Sequence, residues 1–242
     1  MIRKETSSDK RYPAGAESGN AGYEDWVAAG VEAALADYVM RAILPRYQDF
    51  DKGHRQEHIL QVIAQSMKML ADRSETGLCP SIVFAAAAFH DLGLTDGREF
   101  HHLSSGKIVR EDTRLPQWFR PEEIETIAQA VEDHRASSKV APRSLYGCLL
   151  AEADRSIEPA DIVRRTLQYG LSHYPDLDDE AQWRRCYAHL LEKYGDGGYL
   201  KLWWPDSPNA AGLEELRRIL RNEPDARRLY EEIRTCFEFF QK

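Results

Sequence analysis

The sequence is poor in cysteine. It has four in 242 residues, Cys79, Cys148, Cys186 and Cys236, and none forms a CxxC pair. That excludes a disulfide scaffold and a thiolate zinc cage, and it suits four reduced, part-buried thiols. Long apolar runs are missing too. The longest, Val83–Phe89, has seven residues, whereas a bilayer span needs about 20. The N-terminal stretch MIRKETSSDKRYPAGAESGNAGY carries early positive charge without an apolar core, so it does not read as a secretory signal. The expected location is the cytoplasm. Basic charge is in deficit: 32 Lys and Arg stand against 40 Asp and Glu, a formal charge of −8. This weighs against a nucleic acid polymer or an anionic membrane as partner, because both need a basic field. It leaves room for a small phosphorylated molecule held by a local group of Arg and Lys. No segment alternates apolar and polar residues long enough to claim a sheet, and there is no Gly-Pro linker and no fixed-period repeat.

What remains is helical. Hydrophobic residues make up 43% and charged residues 30%, the balance of a folded domain. Residues 1–22 read as a mobile tail, and residues 23–242 as one all-helical domain. Trp26, Val27, Val31, Leu35, Tyr38, Val39 and Ile43 make one apolar stripe that Pro45 closes. A second helix is expected from Gly53 or His54 to Leu70. Pro80–His90 is apolar on every side, and its four successive alanines favour helix over strand. Such a helix is a central one, buried by its neighbours. Further helices are expected near 102–111, 122–134, 144–155, 159–170, 178–194, 210–221 and 225–240. Residues 159–242 are read as a C-terminal helical extension. In it Tyr169, His173, Tyr174, Lys193, Tyr194, Trp203 and Trp204 either wall a pocket or build a core and a dimer interface. The LeuTrpTrpPro stretch after Gly197 and Gly198 is a candidate lid.

The chemistry-bearing residues cluster. His90–Asp91 closes the most apolar helix, where a buried imidazole and carboxylate are costly unless something compensates the charge. A divalent cation does so, and mixed nitrogen and oxygen donors suit Mn, Fe, Co, Zn, Ni or Mg. His54 and His58 lie four apart on one helix face, but the order HisArgGlnGluHis is not the HExxH zinc pattern. Asp154 ends an apolar helix in GluAlaAspArg. It is either a surface acid beside Arg155 or a carboxylate turned inward to a metal. Six of the eight histidines, His54, His58, His90, His101, His102 and His134, lie between positions 54 and 134. Packing alone does not call for that concentration.

Taken together, residues 54–155 resemble the HD-domain superfamily of metal-dependent phosphohydrolases, in particular small bacterial HD hydrolases. The resemblance rests on an ordered set: His58 in HisIleLeuGlnVal, His90–Asp91, and Asp154 in GluAlaAspArg. It implies an HD-type helical bundle in which His58, His90, Asp91 and Asp154 hold a divalent metal. It also implies hydrolysis of a phosphate ester or anhydride by metal-activated water. A second ion is implied at His134 with His101, or His102 in its place, and Asp91 then bridges; without it, His101 and His134 serve as proton donors or phosphate contacts. Asp91 therefore counts among the catalytic residues. Glu57 and Asp96 are candidates to take a proton or orient a ligand histidine. Arg55, Lys107, Arg135, Lys139 and Arg155 are the local candidates for phosphate, each of which is otherwise a solvated basic residue. The expected substrate is a small phosphorylated molecule, a nucleotide foremost, with pyrophosphohydrolase or phosphodiesterase action as alternatives and a regulatory nucleotide-binding module as the non-enzymatic one. The GYP motif of cyclic dinucleotide hydrolases is absent, which argues against that substrate. A homodimer is the default assembly.

Overall fold

The computed structural model describes residues 18–48, 50, 56–135, 140–204 and 206–240, and among these there is no strand. The chain enters through α1 (Ser18–Ala28) and α2 (Ala33–Tyr38), followed by a π-helical turn at Val39–Ile43 and a 3-10 turn at Leu44–Tyr47. The single helix expected up to Pro45 is therefore divided. Gly30, at φ +95°, makes the break, in a backbone region that a side chain disfavours. The apolar stripe survives it: Trp26, Val31, Leu35, Val39 and Ile43 are all buried. Ser18–Gly22, expected in the tail, belong to α1. The rest of that tail, residues 1–17, lies outside the described residues, as do His54, Arg55, Lys139 and Pro205.

Five helices then build the first core: α3 (Gln56–Ala71), α4 (Pro80–Phe89), α5 (His101–Glu111), α6 (Pro121–Asp133) and α7 (Leu145–Ala153). Helix α4 is the centre. Every residue from Ile82 to Phe89 is buried, and the helix packs on α3, α6 and α7. Its alanines let those neighbours come close, while Phe84 and Phe89 each contribute about 1.5–3 kcal/mol by leaving water. Local chemistry fixes the ends. Pro80 and Pro121 open their helices at a position that has no use for an N–H. Glu123 accepts from the Arg120 backbone N–H at 2.8 Å, and Ser144 caps α7 by accepting from Gly147 at 3.2 Å.

The exit from α4 shapes the site. His90 continues the helical backbone, Asp91 leaves it at φ −109°, ψ 4°, and a 3-10 turn follows at Leu92–Asp96. Gly93 in that turn touches the first turn of α5. A Cβ there meets the His101 carbonyl oxygen at 2.3 Å and the Ser105 nitrogen at 2.5 Å. Gly93 also donates its N–H to Ser105 Oγ at 2.8 Å. Gly93→Ala is therefore expected to push α5 outward and cost about 1–3 kcal/mol. A lower urea midpoint measures it, and an unchanged midpoint shows that α5 does not rest on this turn.

Helices α8 (Pro159–His173), α9 (Asp179–Tyr194), α10 (Ala210–Leu220) and α11 (Glu223–Phe240) form a second apolar cluster around Leu167, Trp183, Leu216 and Tyr230. Residues 199–209 tie it to the first. Trp204 is buried in the first core, so the expectation of a tryptophan lid is corrected: its ring is packing, not a mobile cover. The tie centres on Glu152, which is fully buried. It accepts from Arg155 Nη1 at 2.7 Å, from the Trp203 N–H at 3.2 Å and from the Ser207 hydroxyl. Asn209 completes the joint, donating to the Glu152 carbonyl and accepting from the Ile157 N–H at 3.0 Å. All four cysteines are free; Cys186 is buried, and Cys79 and Cys236 are exposed.

Candidate metal centre

Five elements converge at the open end of the α4 bundle. Helix α3 supplies His58 from its first turn, the end of α4 supplies His90 and Asp91, α5 and α6 supply His101 and His134, and the end of α7 supplies Asp154. The two oxygens of Asp91 divide the histidines between them. Oδ2 lies 3.3 Å from His90 Nε2 and 3.9 Å from His58 Nε2. Oδ1 lies 3.4 Å from His101 Nε2 and 3.5 Å from His134 Nε2. Asp154 Oδ1 joins the first set, 3.0 Å from His58 Nε2 and 3.5 Å from His90 Nε2. Three overlapping groups result in which every donor atom lies within 4.8 Å of the others: His58–His90–Asp91, His90–His134–Asp154 and Asp91–His101–His134.

The tautomers follow from the backbone. His90 Nδ1 lies 2.8 Å from the Ala87 carbonyl, His101 Nδ1 2.8 Å from the Arg98 carbonyl and His134 Nδ1 2.5 Å from the Val131 carbonyl. A carbonyl only accepts, so each Nδ1 carries the proton and each Nε2 turns its lone pair to the centre, the arrangement metal-ligating histidines use. Two of these nitrogens, on His101 and His134, sit 3.3 Å apart. His90 Nε2 is fully buried and has no hydrogen-bond partner. Orphaned lone pairs beside two carboxylates fit a divalent cation.

The electrostatics say the same. Burial works against ionising Asp91, but His90 and His134 overcome it and hold the carboxyl well below the usual range. Burial likewise opposes Asp154, and His58 and His90 lower it. His90 itself is driven well upward: burial opposes its charge, but Asp91 and Asp154 together outweigh that burial. Protons on histidine thus stand where a cation would compensate the same two carboxylates.

Residues 55–157 match the HD domain family. No curated protein and no solved structure matches the chain. An HD domain carrying this His/Asp cluster supports metal-dependent phosphohydrolase activity, and no helix among the described residues is long and apolar enough to cross a membrane.

Not all the expected site residues meet here. His58, His90, Asp91, His101, His134 and Asp154 do. His102 faces away, into a smaller hollow with Glu132 and Arg143. Glu57 and Asp96 are exposed and line neither hollow, because α3 turns Glu57 outward beside His58 and Asp96 sits at the far end of the 3-10 turn. Lys107 is on the outer face of α5, 3.8 Å from Glu111. Arg135 reaches the centre and donates to the Glu99 carbonyl at 2.9 Å. Arg155 also reaches it, but Glu152 neutralises its charge.

The centre opens into a cavity of about 1040 Å³, at the upper end of the range for small-molecule sites, about 300–1,000 Å³. Its far wall is α8 and α9. Tyr169, Tyr174, Lys193 and Tyr194 line it, as one reading of the sequence expected, whereas Trp203 and Trp204 do not. His173 stacks on Tyr169, with ring centres 3.9 Å apart. Sequence reasoning missed Arg98 near α5 and Arg165, Arg185 and His189 in this wall. The signal for two of these was the helical spacing of Arg185, His189 and Lys193, four residues apart on one face.

Proposed function

We propose that this HD domain hydrolyses a phosphate ester or anhydride of a small molecule, a nucleotide foremost, at a centre holding two divalent cations. The observation that carries the reading is the division of Asp91: one oxygen faces His58 and His90, the other His101 and His134. His58, His90, Asp91 and Asp154 would hold the first cation, and Asp91, His101 and His134 the second. A cation so held lowers the pKa of water toward a usable hydroxide and polarises a phosphoryl oxygen. The chain's own part is orientation. The Ala87, Arg98 and Val131 carbonyls fix three imidazoles in the ligating tautomer. Arg135, anchored on the Glu99 carbonyl, brings a fixed positive charge to the cavity for phosphate. The metal itself is one of Mn, Fe, Co, Zn, Ni or Mg, since availability decides among similar N/O sites. The free thiols accord with a cytoplasmic enzyme. Exposed Leu171 and Leu177 offer apolar surface for a two-fold homodimer.

Elemental analysis of protein purified without chelator tests the reading. The native chain is expected to carry about two equivalents of transition metal, with His58→Ala and His101→Ala each losing about one and the His90→Ala, Asp91→Ala double variant losing both. A panel of phosphate monoesters, diesters and nucleoside polyphosphates, run with added Mn or Mg, then identifies the reaction. No binding of either metal on titration, and no turnover with any of the panel, overturns the proposal.

A further inference from the structure

The far wall of the cavity lies outside the segment that matches the HD domain family, and its charge is unusual. A helix face turned into a bundle normally carries apolar residues. Helix α9 instead presents Arg185, His189 and Lys193 there, each four residues from the next. Helix α8 adds Arg165 from across the cavity. The three fixed cations, Arg165, Arg185 and Lys193, meet carbonyls and a ring among the described residues. Arg165 donates to the Ser156 carbonyl at 3.1 Å and Arg185 to the Thr166 carbonyl at 2.6 Å. Lys193 lies over the Tyr194 ring, 5.2 Å from its centre. Among the described residues no carboxylate ion-pairs with any of the three. The one acid on this wall, Glu192, is exposed.

Like charges gathered without a counter-ion repel, and the repulsion is stronger where water is partly excluded. Lys193 registers it: burial, then Arg155 and Arg165, push its ammonium pKa down. Such an arrangement destabilises the empty cavity and is relieved when an anion enters. The neighbouring surface suits the body of a small molecule, with the Tyr169 and Tyr174 rings beside the cations.

We propose that Arg165, Arg185 and Lys193 form a second anion subsite, so that the substrate carries two separated anionic groups: a reacting phosphoryl group at the His/Asp centre and a second phosphate on α8 and α9. This deepens the hydrolase reading and rests on it for the reaction, but not for the binding. Three fixed cations match a phosphate dianion better than a single carboxylate.

Binding in the presence of chelator separates the two. Titration calorimetry with inorganic phosphate is expected to show binding to the native protein under chelation. Lys193→Met with Arg165→Met is expected to weaken it about tenfold or more, whereas Lys107→Met, on the outer face of α5, leaves it within about twofold. Lys193→Arg, which keeps the charge, retains binding and controls for misfolding of the double variant, whose helicity is checked by circular dichroism. Malonate run in parallel reports the alternative source of the charge: binding of malonate without phosphate overturns the phosphate assignment. Equal phosphate binding by the native and the double variant, or none by the native, overturns the subsite. Failure of the hydrolase reading looks different: phosphate still binds under chelation, while no phosphoester is turned over with metal present.

Discussion

Asp91→Asn is expected to lower kcat/KM for a phosphoester by about three orders of magnitude or more at saturating Mn. The two Asp91 oxygens point to different partners, one to His58 and His90 and the other to His101 and His134. The amide keeps the shape but loses the charge, and its NH2 arm becomes a donor that occupies imidazole lone pairs otherwise turned toward a cation. Both halves of the centre are weakened at once. His101→Ala, which touches only the Oδ1 side, is expected to fall less. Steady-state rates with metal content measured on the same samples distinguish these cases. An Asn variant retaining a tenth or more of the native rate, on the order of 1 kcal/mol of barrier, would falsify the bridging role.

The largest effect on stability is expected at Glu152, which does no chemistry. Glu152→Ala leaves the Arg155 guanidinium buried with no carboxylate, and Arg155 Nε already has no hydrogen-bond partner. Removing one member of a buried ion pair costs about 3–5 kcal/mol. It also frees the Trp203 N–H and the Ser207 hydroxyl, two of the groups that hold residues 199–209 to α7. Glu152→Gln keeps an acceptor for those donors and is expected to cost less. Urea unfolding followed by circular dichroism measures both. A loss below about 1 kcal/mol for the Ala variant shows that the pair contributes nothing net, which is known for buried pairs whose desolvation matches their attraction.

These two residues mark how far the sequence could be read. Asp91 was legible because it follows His90 at the end of an apolar helix, where a charge is out of place. Glu152 was not, although it stands two residues before Asp154 in the same short run. A buried acid and a surface acid look alike in a sequence, and only the approach of a distant segment, 203–209, makes Glu152 interior. The same holds for Glu57 and Asp96, each close in sequence to a metal-centre residue yet turned outward by its own backbone. The choice between His101 and His102 was a matter of helix rotation: adjacent residues point about 100° apart, and the Gly93 contact with α5 sets which one faces Asp91.

By itself the sequence determined the all-helical class and the central place of α4, because helical periodicity is a local property of a chain, and the ordered His58, His90–Asp91 and Asp154 pattern supplied the family resemblance. The tertiary structure decided how Asp91 shares its oxygens, that Trp204 is packing, and that Arg165, Arg185 and Lys193 face the His/Asp centre across one cavity. Those facts depend on the rotation and docking of whole helices, which are fixed by side-chain packing between segments up to a hundred residues apart.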